Sequence, residues 1–256
     1  MTAKKIVAIA AVAIATAGLA ACGGTGAVAQ LGELKRVART CPAHAQFAAY
    51  VAWDVRRELR GPRIEAARLA SLEKTAQKVA VCGGQLRVVA FGATAGSTAR
   101  LFDGELRPRG ATENARLLRV PGLVDGVTGH VEKALPGVLA EISGQGADPV
   151  SQLAAAEQFG RQLGTGYALH VVIETSGLIR GLSNTRNASA PQLVSNVAVP
   201  DLSGADVVFA GIGKVGRGAP IPTPVVVAQR TFYGEICRRT HADSCLAITD
   251  LAPLGG

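Results

Sequence analysis

FAAYVAWDVRRELR, residues 47–60, is the stretch from which the fold can be read. Seven apolar residues, Phe47 to Trp53, run up to one acid, Asp54. The chain then turns charged through Arg56, Arg57, Glu58 and Arg60. An apolar run with no polar alternation reads as a strand covered on both faces, the kind that lies inside a parallel sheet. A carboxylate that ends such a strand is placed to hold a cation, yet here arginines follow it instead of hydroxyls.

Working outward, strand-like runs occur at Ala45–Trp53, Leu86–Phe91, Thr98–Phe102, Tyr167–Thr175 and Ala205–Ala210, with a weaker sixth at Cys245–Thr249. Leu86–Phe91 and Thr98–Phe102 are too close for a crossover helix, so a short turn through residues 92–97 makes them antiparallel. Helical periodicity fills the other gaps. Pro62 opens one helix, with Leu69, Leu72, Ala76 and Val79 along one stripe. Val124, Val127, Val131, Leu135, Val138 and Ile142 mark a second, which Pro136-Gly137 is expected to kink or break. Asp148-Pro149 starts a third that ends at Gly164, and a last one follows Pro224. The order β-α-β-β-α-α-β-loop-β-α-β predicts an α/β fold: a three-layer, open, doubly wound and mostly parallel sheet with one antiparallel edge strand and helices on both faces. Ligands of such sheets bind beyond the carboxyl ends of the strands, where strand order reverses. Asp54, Asp148 and Thr175-Ser176-Gly177 all reach that edge.

The chain has 256 residues, 48% hydrophobic and 18% charged, a globular composition. Its first residues, MTAKKIVAIAAVAIATAGLAACGG, combine Lys4 and Lys5 with an apolar run at 6–21, shorter than the roughly 20 residues a spanning helix needs. Leu19-Ala20-Ala21-Cys22 resembles a bacterial lipobox, which implies cleavage before Cys22 and acylation of that cysteine. Residues 1–21 are then a lipoprotein signal peptide, 22–33 the lipidated cysteine with a flexible tether, and 34–256 a single domain. The implied partner is the bacterial cell membrane, reached through lipid on Cys22, and the location is extracytoplasmic.

The formal charge of +8 falls to +6 once Lys4 and Lys5 are removed. The basic residues are dispersed and aromatics are only 4%, which argues against a nucleic-acid partner. Cys41, Cys82, Cys237 and Cys245 form an even set in an exported chain, which predicts disulfides with three possible pairings. Spacing favours Cys237–Cys245, leaving Cys41–Cys82. A zinc site at Cys237, His241 and Cys245 is the rival, but three ligands fall short of the four a structural site needs.

Taken together, VAWDV ending the first strand, GADPV opening a helix, HVVIETSG ending the fourth strand and VVFAGIGKV ending the fifth resemble a von Willebrand factor type A domain over residues 44–250. The resemblance implies Mg²⁺ at the carboxyl edge, held by an Asp-x-Ser-x-Ser on the first strand, a Thr from a later loop and an Asp before Gly on the fourth strand. Asp54 matches the first acid. Arg56 and Glu58 stand at the two serine positions, Ala147 just before Asp148 stands at the hydroxyl position, and Ser176 stands near the late acid. A guanidinium has no acceptor atom and cannot ligate a cation. The expectation is a degenerate site with no metal and no cofactor, in which Arg56 or Arg57 pairs with Asp54 or Asp148.

Other motifs carry less. Gly211-Ile-Gly213-Lys214-Val-Gly216 matches a dinucleotide fingerprint in spacing, but a loop follows it instead of a helix. Residues 92–96 imitate a nucleophile elbow with Thr94, but join two strands of a hairpin. His44, His130, His170 and His241 are scattered, and His170 reads as a core residue. Asn187-Ala-Ser189 fits a glycosylation sequon that a bacterial host does not use in the eukaryotic sense.

The sequence therefore predicts a membrane-anchored lipoprotein whose non-catalytic domain binds a protein or envelope partner. The expected contact face comprises Asp54, Arg56, Arg57, Asp148, Thr175, Ser176 and Lys214, on loops 54–60, 92–96, 144–149, 175–190 and 211–222. A solute-receptor lipoprotein and an envelope hydrolase are the alternatives. The first is disfavoured by the single sheet, the second by the lack of a nucleophile with a base in reach.

Overall fold

The structure is a computed structural model and describes residues 24–93, 97–142, 146–178, 194 and 197–251. Its centre is one six-stranded sheet formed by β1 (Gln46–Asp54), β2 (Gly84–Phe91), β3 (Thr98–Leu106), β4 (Tyr167–Glu174), β5 (Asp206–Ala210) and β6 (Ser244–Ala247). The strand order is β3-β2-β1-β4-β5-β6. β3 is antiparallel to β2, and every other pair is parallel. The expected α/β class, mostly parallel sheet and antiparallel edge strand are all present. Strand order reverses between β1 and β4, so the carboxyl ends of these two strands flank the crevice.

The two-residue period of β1 divides the core. Phe47, Ala49, Val51 and Trp53 face α1 (Gly24–Ala38), α2 (Pro62–Cys82) and α4 (Val120–Glu141), meeting Leu34, Leu72, Ala76, Val79, Val127 and Val131. Ala48, Tyr50 and Ala52 face α5 (Ser151–Leu163) and α6 (Thr223–Arg239), meeting Leu153, Phe159, Phe232 and Tyr233. A short helix α3 (Glu113–Leu117) links β3 to α4, and Thr112 caps it by accepting from the Ala115 amide. At α2 the stripe read from sequence is the buried face, and Pro62 occupies its first turn.

Two local expectations are corrected, and one helix is new. Residues 24–33 are not a tether: they form most of α1, whose Leu34 is buried in the core and whose Leu31 packs against it. Small residues hid this helix, because Gly24 and Gly26 depress helix propensity while a few leucines supply the contact face. α4 runs unbroken through Pro136. Apolar residues on both sides of the proline, Val131, Leu135, Val138 and Leu139, sit on the same core cluster and offset the lost hydrogen bond. Helix α3 was not foreseen, since five residues are too few to show periodicity.

Two disulfides are present, Cys41–Cys82 and Cys237–Cys245. Both are the pairs that spacing favours, and the bonded Cys237 and Cys245 leave no thiolates for zinc. Cys22 lies outside the described residues. Among the described residues no helix is long and apolar enough to cross a membrane.

Candidate functional site at the strand reversal

Asp54 ends β1 and is completely buried. Arg56, two residues on, folds back over it and is 5% exposed. The Arg56 Nε donates to both carboxylate oxygens, at 3.0 and 2.8 Å, and a terminal nitrogen of the same guanidinium lies 2.6 Å from Oδ2. The Arg56 amide also donates to Oδ1, at 3.1 Å. Thr175, the residue after β4, donates its hydroxyl to Oδ2 at 2.8 Å. The remaining terminal nitrogen of Arg56 donates to the Leu178 carbonyl at 2.6 Å, tying the loop after β4 to the site. Of the two arginines and two acids considered from sequence, Arg56 pairs with Asp54. Arg57 is exposed and meets no carboxylate among the described residues.

This donor set does not fit the Mg²⁺ that the resemblance implies. Both oxygens of Asp54 already accept hydrogen bonds, and the group nearest them is a cation. Asp148 uses Oδ1 to accept from the amide of Ser151, the first residue of α5, at 3.1 Å. Ser176 accepts from the Leu178 amide through Oγ, at 3.4 Å, and from the Gly213 amide through its carbonyl, at 2.9 Å. Glu58 sits in a single 3-10 turn, Arg57–Leu59, and its carbonyl accepts from the amides of Gly216 and Arg217. Among the described residues there is no group of three or more His, Cys, Asp or Glu side chains placed to hold a metal ion.

A second buried pair lies on the other face of the sheet, and the sequence reading missed it. Glu174 ends β4 beside Trp53, fully buried. Arg68 of α2 approaches it to 3.4 Å through Nε, and donates to the Asp54 carbonyl at 2.7 Å through a terminal nitrogen. The Arg68 guanidinium also lies 5.9 Å from the centre of the Trp53 ring. Burial pushes the Glu174 carboxyl up to about 7, against the opposing pull of Arg68 and a bond with Ser71. The same burial lowers Arg68, countered by Glu174 and Asp54. The signal was available: Arg68 falls on the same helical face as Leu72 and Ala76, and Glu174 is a charge closing the run HVVI. Tyr233 also converges on the site. Burial raises its hydroxyl far above the usual range, with Arg56, Asp54 and Asp148 acting on it electrostatically.

The expected contact face changes accordingly. Asp54, Arg56, Thr175 and Ser176 are buried, so they brace the edge and cannot touch a macromolecular partner. Asp148 is half-buried, while Arg57 and Lys214 are exposed. Lys214 sits 3.8 Å from Asp250. Residues 94–96, 144–145 and 179–190 of the expected loops lie outside the described residues, and so do Thr94 and the sequon at Asn187.

The GxGxxG match is structural. Gly211 and Gly213 have φ of 84° and 87°, and the Gly213 amide bonds the Ser176 carbonyl. At Gly216 a Cβ would lie 2.8 Å from the Arg60 carbonyl oxygen, so glycine permits two loops to touch. His170 is buried against the Phe47 ring at 5.9 Å, and burial pulls it down to about 4. Among the described residues neither of its ring nitrogens has a hydrogen-bond partner, so it serves as a neutral core residue.

The architecture defines the class: a three-layer α/β domain with its crevice between β1 and β4, closed by an internal ion pair. The sequence matches no protein-family model and no curated protein.

Proposed function

We propose that the protein is a membrane-anchored bacterial lipoprotein with a non-catalytic, metal-independent binding domain of von Willebrand A type, directed at a protein or envelope partner. The observation that carries this reading is the Arg56 guanidinium on Asp54 at the carboxyl edge. A fixed cation stands where the resemblance implies a hydrated one, so the edge keeps its shape without an ion. The hydroxyls at the crevice support a binding role over hydrolysis, since Thr175 spends its proton on Asp54 and Ser176 faces the Leu178 amide. The one carboxylate in reach of Thr175, Asp54, is already held by Arg56 and completely buried, so it is tied up as a brace and not free to act as a base.

Two measurements test the reading. Titration with Mg²⁺ and Mn²⁺ should give no binding tighter than about millimolar. Tighter binding, lost in Asp54→Ala, overturns metal independence. Cross-linking capture from intact envelopes should then retrieve the same partner with and without a chelator, and lose it in Arg57→Glu/Lys214→Glu. Chelator-sensitive capture, or capture indifferent to those reversals, overturns the assignment of the face. The mass of the mature amino-terminal peptide tests acylation of Cys22.

A further inference from the structure

We propose that the carboxyl edge of the sheet lies against the anionic phospholipid surface to which the chain is anchored. The inference rests on the lipid-anchor reading above and names the surface that the exposed arginines meet. One line of argument is the direction of α1. Its residues meet α2 in rising order: Gln30 and Leu34 border one groove with Glu73 and Gln77, Thr40 accepts from Lys78 through its carbonyl at 2.7 Å, and Cys41 is bonded to Cys82. The two helices therefore run parallel. α2 starts at Pro62, just beyond the carboxyl end of β1, and finishes at Cys82 at the opposite edge of the sheet. The amino end of α1 thus points to the carboxyl edge. Its 15 residues rise about 22 Å, most of the way back. Cys22 precedes Gly24 by two residues, a reach of about 7 Å even when extended. A lipid on Cys22 brings this end of the molecule to the bilayer.

The other line is the charge found there. Arg57 in the 3-10 turn, Arg63 in the first turn of α2 and Arg217 in the loop after β5 are all exposed. None meets a carboxylate within 4 Å among the described residues, whereas eight other arginines there are held in ion pairs. The loops bearing them are fastened together. The Gly216 and Arg217 amides donate to the Glu58 carbonyl at 2.8 and 3.2 Å, and the Gly216 carbonyl lies against Gly61. The acids at this edge are Glu58, half-buried with one oxygen inaccessible, Glu65, half-buried and acting on Arg68, Glu141, exposed at the end of α4, and Asp250, 3.8 Å from Lys214. Guanidinium groups grip phosphate oxygens in pairs, and each one near an anionic surface strengthens association by about fivefold.

The test uses the full chain, matured and acylated in a bacterial host and reconstituted in vesicles. One set is phosphatidylcholine, the other a phosphatidylcholine–phosphatidylglycerol mixture. Phenylglyoxal labels accessible arginines, and mass spectrometry reads each site and the Cys22 peptide together. Arg57, Arg63 and Arg217 should label at least about fivefold more slowly on the anionic vesicles at about 0.15 M salt, and recover at about 1 M. Arg109 and Arg116, exposed near the opposite edge, should label equally on both. An acylated Cys22 with equal labelling of the three arginines overturns the docking and leaves the anchor intact. Protection of Arg109 and Arg116 instead also overturns it. An unacylated Cys22 overturns the anchor, and the docking with it.

Discussion

Arg56 grips Asp54 from only two residues away, with Nε 2.8 and 3.0 Å from the two carboxylate oxygens, both groups shut off from solvent. Removing either partner alone strands a buried charge, at a cost of about 3–5 kcal/mol. Arg56→Met and Asp54→Asn should each lower unfolding free energy by that order. The double variant should cost clearly less than the sum, because no lone charge remains. Urea unfolding of the four proteins measures the coupling. Additive losses would show that the pair contributes nothing as a unit.

Glu174 should make stability fall as pH rises. Its carboxyl is pushed up to about 7 from an ordinary 4.5, so the folded state binds the proton more tightly than the unfolded state does. The contribution is fully present below about 4.5 and is lost as pH climbs through 7. The charged group acting on Glu174 is Arg68, 3.4 Å away, which opposes the rise but is outweighed by burial. Glu174→Gln should remove this slope, so thermal unfolding compared at pH 5 and 8 should show a smaller drop than in the parent. An unchanged slope would rule out Glu174 as its source.

His170 should act with the opposite sign. Its folded value is depressed to about 4 from 6.5, chiefly by burial and secondarily by Lys78. Stability from the neutral ring is complete above about 6.5 and declines as pH falls toward 4. His170→Gln should therefore flatten the acid side of the stability profile. An equally steep acid loss in the variant would refute this.

Glycine matters at one close approach in particular. A Cβ on Gly84 would fall 1.7 Å from the Phe47 carbonyl oxygen, which is main chain and cannot swing aside. Gly84→Ala should prevent β2 from seating beside β1 and cost more than about 3 kcal/mol. At Gly164 nothing lies within 4 Å, but its φ of 87° and ψ of −174° fall in a region open essentially only to glycine, so Gly164→Ala should cost about 1–3 kcal/mol from the backbone alone. Chemical denaturation of both variants should separate the two.

The disulfides should differ in weight. Cys41–Cys82 closes a loop with a separation of 41 residues, and Cys237–Cys245 one of 8. Loop-closure entropy predicts losses of about 4 and about 2.6 kcal/mol when each pair is replaced by serine. Equal losses would point to native contacts as the larger factor.

Much of this was legible in the chain. Short uninterrupted apolar runs such as Phe47–Trp53, rich in aromatic and β-branched residues and separated by helical patterns, fit strands with cover on both faces, so sheet and layers followed from local composition. Asp54 and Arg56 were identifiable because a charge against such a run must be paired or exposed. Residues 24–33 were misread because their burial depends on α2 and α4, which are distant in sequence. Glu174 and Arg68 went unpaired because 106 positions separate them, and no local pattern announces a contact of that range.

The sequence by itself determined the α/β class, the antiparallel edge pair, the disulfide partners that spacing favoured, and an acid at the end of the first strand. These depend on period, length and residue type, which are local properties. Only the tertiary structure decided that Arg56 turns inward onto Asp54 while Arg57 turns out, that a second ion pair lies beneath the sheet, and that α1 points to the same edge as the free arginines. Each of these is a choice between water and a particular buried partner, and the partner exists only once strands far apart in the chain have come together.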